Sequence, residues 1–209
     1  MKNIVAVNAS PRMGWNTDIV VSEAARGAES AGAQITRFDL YRLESFTGCV
    51  SCFGCKREKT LGKCVCRDGL APALEAIRSA DGLILGSPNY LGDVNAQCRA
   101  LIERLIFPLI TYKKEVRSYA ERRIPVLLLL TSNSPGAANV ELMRRYKGLF
   151  EAFFGPTEFL TVGETLQVND YAPFAWTMFN AQERQQRRET VFPEECRQAY
   201  EAGARLAGE

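Results

Sequence analysis

Five cysteines stand within eighteen residues, Cys49, Cys52, Cys55, Cys64 and Cys66, in the run GCVSCFGCKREKTLGKCVC, and the whole chain has seven. Thiolates at i, i+3 and i+6 can converge on one point from a single loop, as a metal ion or an iron–sulfur cluster requires. The thiols are not needed as staples, because 209 residues with 46% hydrophobic content can bury a core without cross-links. The chain has no histidine. That excludes Ser-His-Asp and Cys-His catalysis and His-ligated metals, and leaves proton transfer to Tyr, Asp, Glu, Lys, Cys or a cofactor. No residue is assigned as a catalytic acid or base.

Charge and hydropathy narrow the setting. The N-terminal MKNIVAVNAS reads as a strand, and the longest apolar stretch, 124–130, is too short to cross a bilayer. The expectation is a soluble cytoplasmic protein with no membrane association, where clustered thiols more often mean metal or catalysis than disulfides. A net charge of +2 does not suggest nucleic acid. Locally, Lys56, Arg57, Lys59, Lys63 and Arg67 outweigh Glu58 and Asp68. This basic collar is either a solvated loop or a docking surface for an acidic protein.

The elements that must position these groups alternate between strand and helix. Strands are expected over 3–8, about 34–40, 82–86, 124–130 and 157–162. Helices are expected over about 17–31, from 70 with Leu70, Leu74 and Ile77 on one face, over 95–106, over 138–154, and from Pro193 onward. The pattern predicts one α/β domain over 1–209, a flavodoxin-like three-layer sandwich with a five-stranded parallel sheet in the order 2-1-3-4-5. The cysteine loop spans 47–68. Residues 107–123 and the aromatic-rich 163–192 exceed the minimal fold. Packing on the chain's own surface, subunit contact and a cover over a cofactor are all open for them. Cys98 and Cys196 read as small core residues.

Ligands of such sheets bind outside the carboxyl ends of the strands. The first such loop, NASPRMGWNT, offers Ser10, Arg12, Asn16 and Thr17 at a helix N-terminus, where amides and dipole favour an anion. It is neither a G-x-G-x-x-G fingerprint nor a Walker loop, and Asn16 could also cap the helix. After the third strand, GSPNYLGDVNAQ places Pro88, Asn89, Tyr90 and Leu91 where a planar heteroaromatic ring could stack. After the fourth, TSNSPGAAN adds Thr131, Ser132 and Gly136. Together the loops suit a mononucleotide carrying an aromatic ring.

The runs SPRMGWNT, ADGLILGSPNYLGDVNAQCRALIER and TLQVNDYAPF resemble the NADPH-dependent FMN reductase superfamily. The compact C-x2-C-x2-C-x(n)-C loop between the second strand and the next helix is similar to its iron–sulfur flavoprotein branch. The resemblance implies FMN at Ser10, Arg12, Asn16, Thr17 and Pro88 to Leu91, in a homo-oligomer, dimer or tetramer. NADPH as a substrate rests on the family name. By the same resemblance Cys49, Cys52, Cys55 and Cys64 would ligate a 4Fe-4S cluster. Eight residues separate Cys55 from Cys64, a longer gap than the branch shows, and Cys66 competes as the fourth ligand. A cluster, tetrahedral zinc and free or disulfide-forming thiols all stand open. The loop leaves the second strand at the carboxyl edge, so thiols close to the flavin and an electron relay are expected, with an acidic carrier such as ferredoxin as partner. The alternative is a cluster-free NAD(P)H-dependent reductase of flavins, quinones or other small acceptors.

Overall fold

The computed structural model describes residues 1–208. Short β-branched and leucine-rich runs form the parallel strands: β1 (Asn3–Asn8), β2 (Gln34–Asp39), β3 (Gly82–Tyr90), β5 (Val126–Thr131) and β6 (Thr157–Val162), with the two-residue β4 (Asp93–Val94) beside β3. The sheet order is β2-β1-β3-β5-β6, with β4 antiparallel to β3 off this path. Counting the parallel strands alone, this is the expected 2-1-3-4-5 order. Central strands are covered on both faces, so β5 reads VLLLLT and every residue of it is buried.

Helices α1 (Asn16–Ser30) and α6 (Phe192–Gly208) cover one face, over Ile4, Ala6, Ile84, Leu127 and Leu129. The other face carries α2 (Ala71–Ser79), α3 (Ala96–Ile106) and α4 (Val140–Phe153), over Val5, Val7, Leu83, Leu85 and Leu128. The α1–α6 pair is close enough that a Cβ at Gly203 would sit 1.8 Å from the Ala24 carbonyl oxygen. Small residues on both helices allow the two backbones to meet.

Three local features depart from the sequence expectation. Strand β3 continues to Tyr90 and turns into β4 through Leu91 (φ +56°) and Gly92 (φ +82°), a left-handed pair that suits a two-residue hairpin. Residues 136–139 form a 3₁₀ turn, so α4 starts at Val140 rather than Ala138. A helix, α5 (Ala181–Thr190), stands inside the aromatic-rich segment. None of its residues is buried, so apolar periodicity is silent there, and its start is fixed instead by the Asn180 side chain accepting from the amides of Gln182 and Glu183. Among the described residues no helix is long and apolar enough to cross a membrane.

Candidate functional site

The first loop is built on a buried asparagine. Asn8 closes β1; its Oδ1 accepts the Ser10 amide at 2.9 Å and its Nδ2 donates to Asp39 at 3.1 Å. Ser10 Oγ accepts the Arg12 amide at 3.1 Å, and the Gly14 amide donates to Asp18 at 2.5 Å. Two carboxylates behind an anion site would repel the anion. Arg37 offsets this: its guanidinium pairs with Asp39 at 2.8 Å and also with Asp18. Burial alone would push the Asp39 carboxyl up, but hydrogen bonds from Arg37 and Asn8 outweigh it and hold the group below its usual range. Arg12 stays exposed, with its guanidinium 3.9 Å from the centre of the Trp15 ring.

Asn16 is not the helix cap. It is the first helical residue; Trp15 holds the capping position and provides no side-chain bond. Among the described residues the opening amides of α1 therefore meet no side-chain cap. Asn16 is used elsewhere: its Nδ2 donates to the Leu166 carbonyl at 2.8 Å, and its Oδ1 accepts from Arg188 of α5 at 2.9 Å. With the hydroxyls of Ser10 and Thr17 and the charge of Arg12, the donor set suits a phosphate.

The three loops are fastened to one another. Thr17 and Thr131 share a hydroxyl bond of 2.7 Å. Asn95 caps α3 and donates to the Ala9 carbonyl at 2.5 Å. Asn89 donates to Asn139 at 2.6 Å, and Asn139, buried, donates to Ser132 at 2.9 Å. Pro88 and Asn89 are half-buried, whereas Tyr90 and Leu91 present open side chains at the hairpin tip. Tyr146 anchors that hairpin by donating to Asp93 at 2.6 Å, and burial together with Asp93 pushes its phenol up to about 12. Gly136 lies beside Gly163, so the loop after β5 runs backbone to backbone with the loop after β6. Sequence reasoning found the loops but missed Asn139, Asn8 and Arg188, which carry no motif of their own.

All five clustered thiols line one small cavity, of about 20 Å³, walled opposite by Arg104, Phe107 and Pro108. Two left-handed residues, Ser51 (φ +55°) and Phe53 (φ +54°), bend the chain between Cys49 and Cys55. Such conformations cost about 1 kcal/mol or more each, and here they turn the C-x2-C-x2-C run toward the cavity. Arg104, 2% exposed, organises the far side. Its Nε lies 3.4 Å from Cys64 Sγ, and its other nitrogens reach Asp68 (2.6 Å) and the carbonyls of Thr47 (3.2 Å) and Cys66 (3.1 Å). Burial pushes the Cys55 thiol up; burial, then the neighbouring Cys64, does the same for Cys66.

Among the described residues no three His, Cys, Asp or Glu groups gather around a single ion position. Tetrahedral zinc with Zn–S bonds of about 2.3 Å needs sulfurs about 3.8 Å apart around one point. A larger polynuclear cluster takes thiolates spread around its faces, so the five soft donors match it in ligand chemistry, but the cavity, about the size of one water molecule, must widen to admit it.

Two sequence expectations change. The thiol cavity lies against the C-terminal turn of α3, not beside the flavin-edge loops: Arg104 stands nine residues from Asn95, about 13 Å along the helix. The loop leaves β2 at the carboxyl edge and then descends this helix. Lys56 leaves the basic collar, since its ammonium is bonded to the carbonyls of Phe107 (2.5 Å), Pro108 (3.0 Å) and Ile110 (2.7 Å). Arg57, Lys59, Lys63 and Arg67 remain exposed. Cys98 is buried, with its thiol pushed up by burial to about 12; burial raises Cys196 to about 11.

The chain is similar to an iron–sulfur flavoprotein of Methanocaldococcus jannaschii, 36% identical over 101 residues that make up 48% of this chain and 50% of the relative. An iron–sulfur flavoprotein of Methanosarcina thermophila is 30% identical over 103 residues, 49% of this chain and 52% of the relative. The chain thus spans about half the length of the curated relatives it matches. Among solved structures, an NAD(P)H:quinone oxidoreductase from Methanothermobacter marburgensis has the same fold, with a TM-score of 0.71, 17% identity and 98% of each chain covered. An azoreductase from Bacillus anthracis aligns with a TM-score of 0.69 and 14% identity over 98% of this chain and 100% of its own. Residues 2–164, from the start of β1 to just past the end of β6, match the family model of NADPH-dependent FMN reductase, and the chain belongs to that family.

Proposed function

We propose that the chain is a single-domain FMN-dependent oxidoreductase that exchanges electrons between the flavin and a 4Fe-4S cluster in its cysteine loop. The observation that carries this reading is the presence on one sheet of an uncapped helix N-terminus ringed by Ser10, Arg12 and Thr17 and a cavity walled by five thiols. The family match and the names of the curated relatives support it. When bound, FMN supplies one- or two-electron exchange and a cluster supplies one-electron exchange. The chain's own part is to hold the phosphate at Ser10, Arg12, Asn16 and Thr17. It offers Pro88, Asn89, Tyr90, Leu91, Thr131, Ser132 and Gly136 to the rest of the cofactor, and Cys49, Cys52, Cys55 and Cys64 as cluster ligands. NADPH is one candidate donor, by the family's name. An acidic carrier of the ferredoxin class is another, drawn to Arg57, Lys59, Lys63 and Arg67. Exposed Phe174, Trp176 and Met178 suit burial between subunits of a homo-oligomer.

The test is the absorption spectrum and metal content of protein purified without oxygen. Broad absorption beyond the flavin bands, with iron and sulfide near four per chain, is expected for one such cluster. Stoichiometric zinc with no sulfide overturns the ligand assignment. A second reading, a cluster-free reductase of quinones or other small acceptors, is favoured by the small size of the thiol cavity, about 20 Å³. A pure flavin spectrum with turnover on NAD(P)H supports it. Reduction by an acidic carrier at a rate that salt leaves unchanged rules out the docking role of the collar.

A further inference from the structure

Helix α5 carries Arg184, Arg187 and Arg188, and only two of them are matched by carboxylates. Arg187 pairs with Glu195 through bonds of 2.6 and 3.0 Å. Arg184 lies 3.5 Å from Glu164 and donates to the Asn133 carbonyl at 3.3 Å. Arg188 has no ion pair among the described residues. Its guanidinium lies 4.0 Å from the centre of the Phe192 ring and donates to Asn16 Oδ1 at 2.9 Å. Burial pulls its pKa below the usual arginine value, and the Cys196 thiol is the ionisable group that offsets this. A part-buried cation without an anion is unfavourable, so a negative group placed beside Arg188 is stabilised there.

The residue Arg188 touches is the first of α1, where the opening amides meet no side-chain cap. An unmatched cation and an uncapped helix N-terminus, contributed by segments 172 residues apart, thus meet at Asn16. We infer that Arg188 is a phosphate-binding residue, a second guanidinium beside Arg12 for the phosphate of FMN. The inference rests on the FMN reading above and goes beyond the family match, which ends at residue 164. It makes the segment after β6 part of the cofactor site. Asn16 is the joint, since it also donates to the Leu166 carbonyl at 2.8 Å. Arginine suits this place because its planar fork can keep one N–H on Asn16 while others meet phosphate oxygens.

The test compares FMN with riboflavin, which has the same ring and no phosphate, by fluorescence titration of flavin-free protein. For Arg188→Gln, FMN affinity falls about ten- to a hundredfold, the range of a charge-assisted hydrogen bond, while riboflavin affinity stays unchanged. Arg188→Lys recovers part of the loss. Equal weakening of both flavins gives Arg188 a structural role and overturns the inference, as does an unchanged FMN affinity. The unaltered chain provides a second readout: FMN slows amide exchange across Ala181–Thr190 and riboflavin does not. Equal protection by both overturns the inference without any variant. Wild-type protein that binds neither flavin overturns the FMN reading itself.

Discussion

Arg104 bonds to Cys64 through its side chain and to Cys66 only through the backbone: Nε lies 3.4 Å from Cys64 Sγ, and another nitrogen meets the Cys66 carbonyl at 3.1 Å. The two thiols that competed for one role in the sequence are therefore unlike. A buried guanidinium orients the Cys64 sulfur on the cavity wall, whereas among the described residues the Cys66 sulfur takes no hydrogen bond from it. Cys64→Ala is expected to lose cluster iron and Cys66→Ala to keep it, measured as iron and sulfide per chain in anaerobic preparations. Equal iron in both variants sinks the assignment of the fourth ligand.

The same arginine is the main polar tie between α3 and the cysteine loop. Its side chain is 1% exposed and that of Asp68 is 23% exposed, so the pair is largely shielded from water. Removing one partner of a buried pair strands the other and costs about 3 kcal/mol or more; here the carbonyls of Thr47 and Cys66 lose donors as well. Arg104→Ala is expected to free residues 47–68 in flavin-loaded, cluster-free protein, seen as accelerated amide exchange over that segment. Arg104→Lys restores the charge without the fork and recovers only part of the protection. Unchanged exchange in Arg104→Ala shows that the loop is held by its other contacts.

Asp39 gives the cradle a pH limit. Its carboxyl is held below the usual range, so the fold favours the ionised form. The stabilisation is complete above the unfolded value of about 3.9 and is lost as pH falls through the lower folded value. The melting temperature of the wild type should exceed that of Asp39→Asn at neutral pH, and the gap should close below about pH 4, where the wild-type carboxylate takes up its proton. A gap that persists unchanged to the acid limit of folding contradicts the role given to the Arg37–Asp39 pair.

The sheet was legible because its strands are buried on both faces and leave unbroken apolar runs, as in β5. The loops after β1, β3 and β5 were legible because turn residues and polar groups follow those runs directly. What the sequence hid has no period. Arg104 lies in an amphipathic helix between Glu103 and Leu105, and only the path of a loop 36–57 residues earlier makes it a hub. Lys56 looked like surface charge because carbonyl acceptors leave no mark in a sequence. Helix α5 was missed because it buries nothing. The displacement of the thiols along α3 depends on how a long loop folds back, which neither composition nor spacing specifies.

The loop after β5 depends on a glycine contact that the motif alone does not reveal. A Cβ at Gly163 would stand 2.0 Å from the Gly136 amide nitrogen and 2.7 Å from both Gly136 Cα and the Pro135 carbonyl carbon. These are backbone atoms, so no rotamer change relieves the clash and the whole turn must move. That turn leads into Asn139, which holds Asn89 of the β3 loop at 2.6 Å, so the displacement reaches the edge offered to the flavin ring. Gly163→Ala is expected to destabilise the protein by about 2 kcal/mol, typical of an overpacked site, and to weaken both FMN and riboflavin binding, since the displaced turn reaches the ring edge that the two flavins share. Denaturant unfolding and flavin titration read the two effects separately. Wild-type stability in Gly163→Ala, or a loss confined to FMN, refutes the coupling between the Gly136 turn and the ring edge.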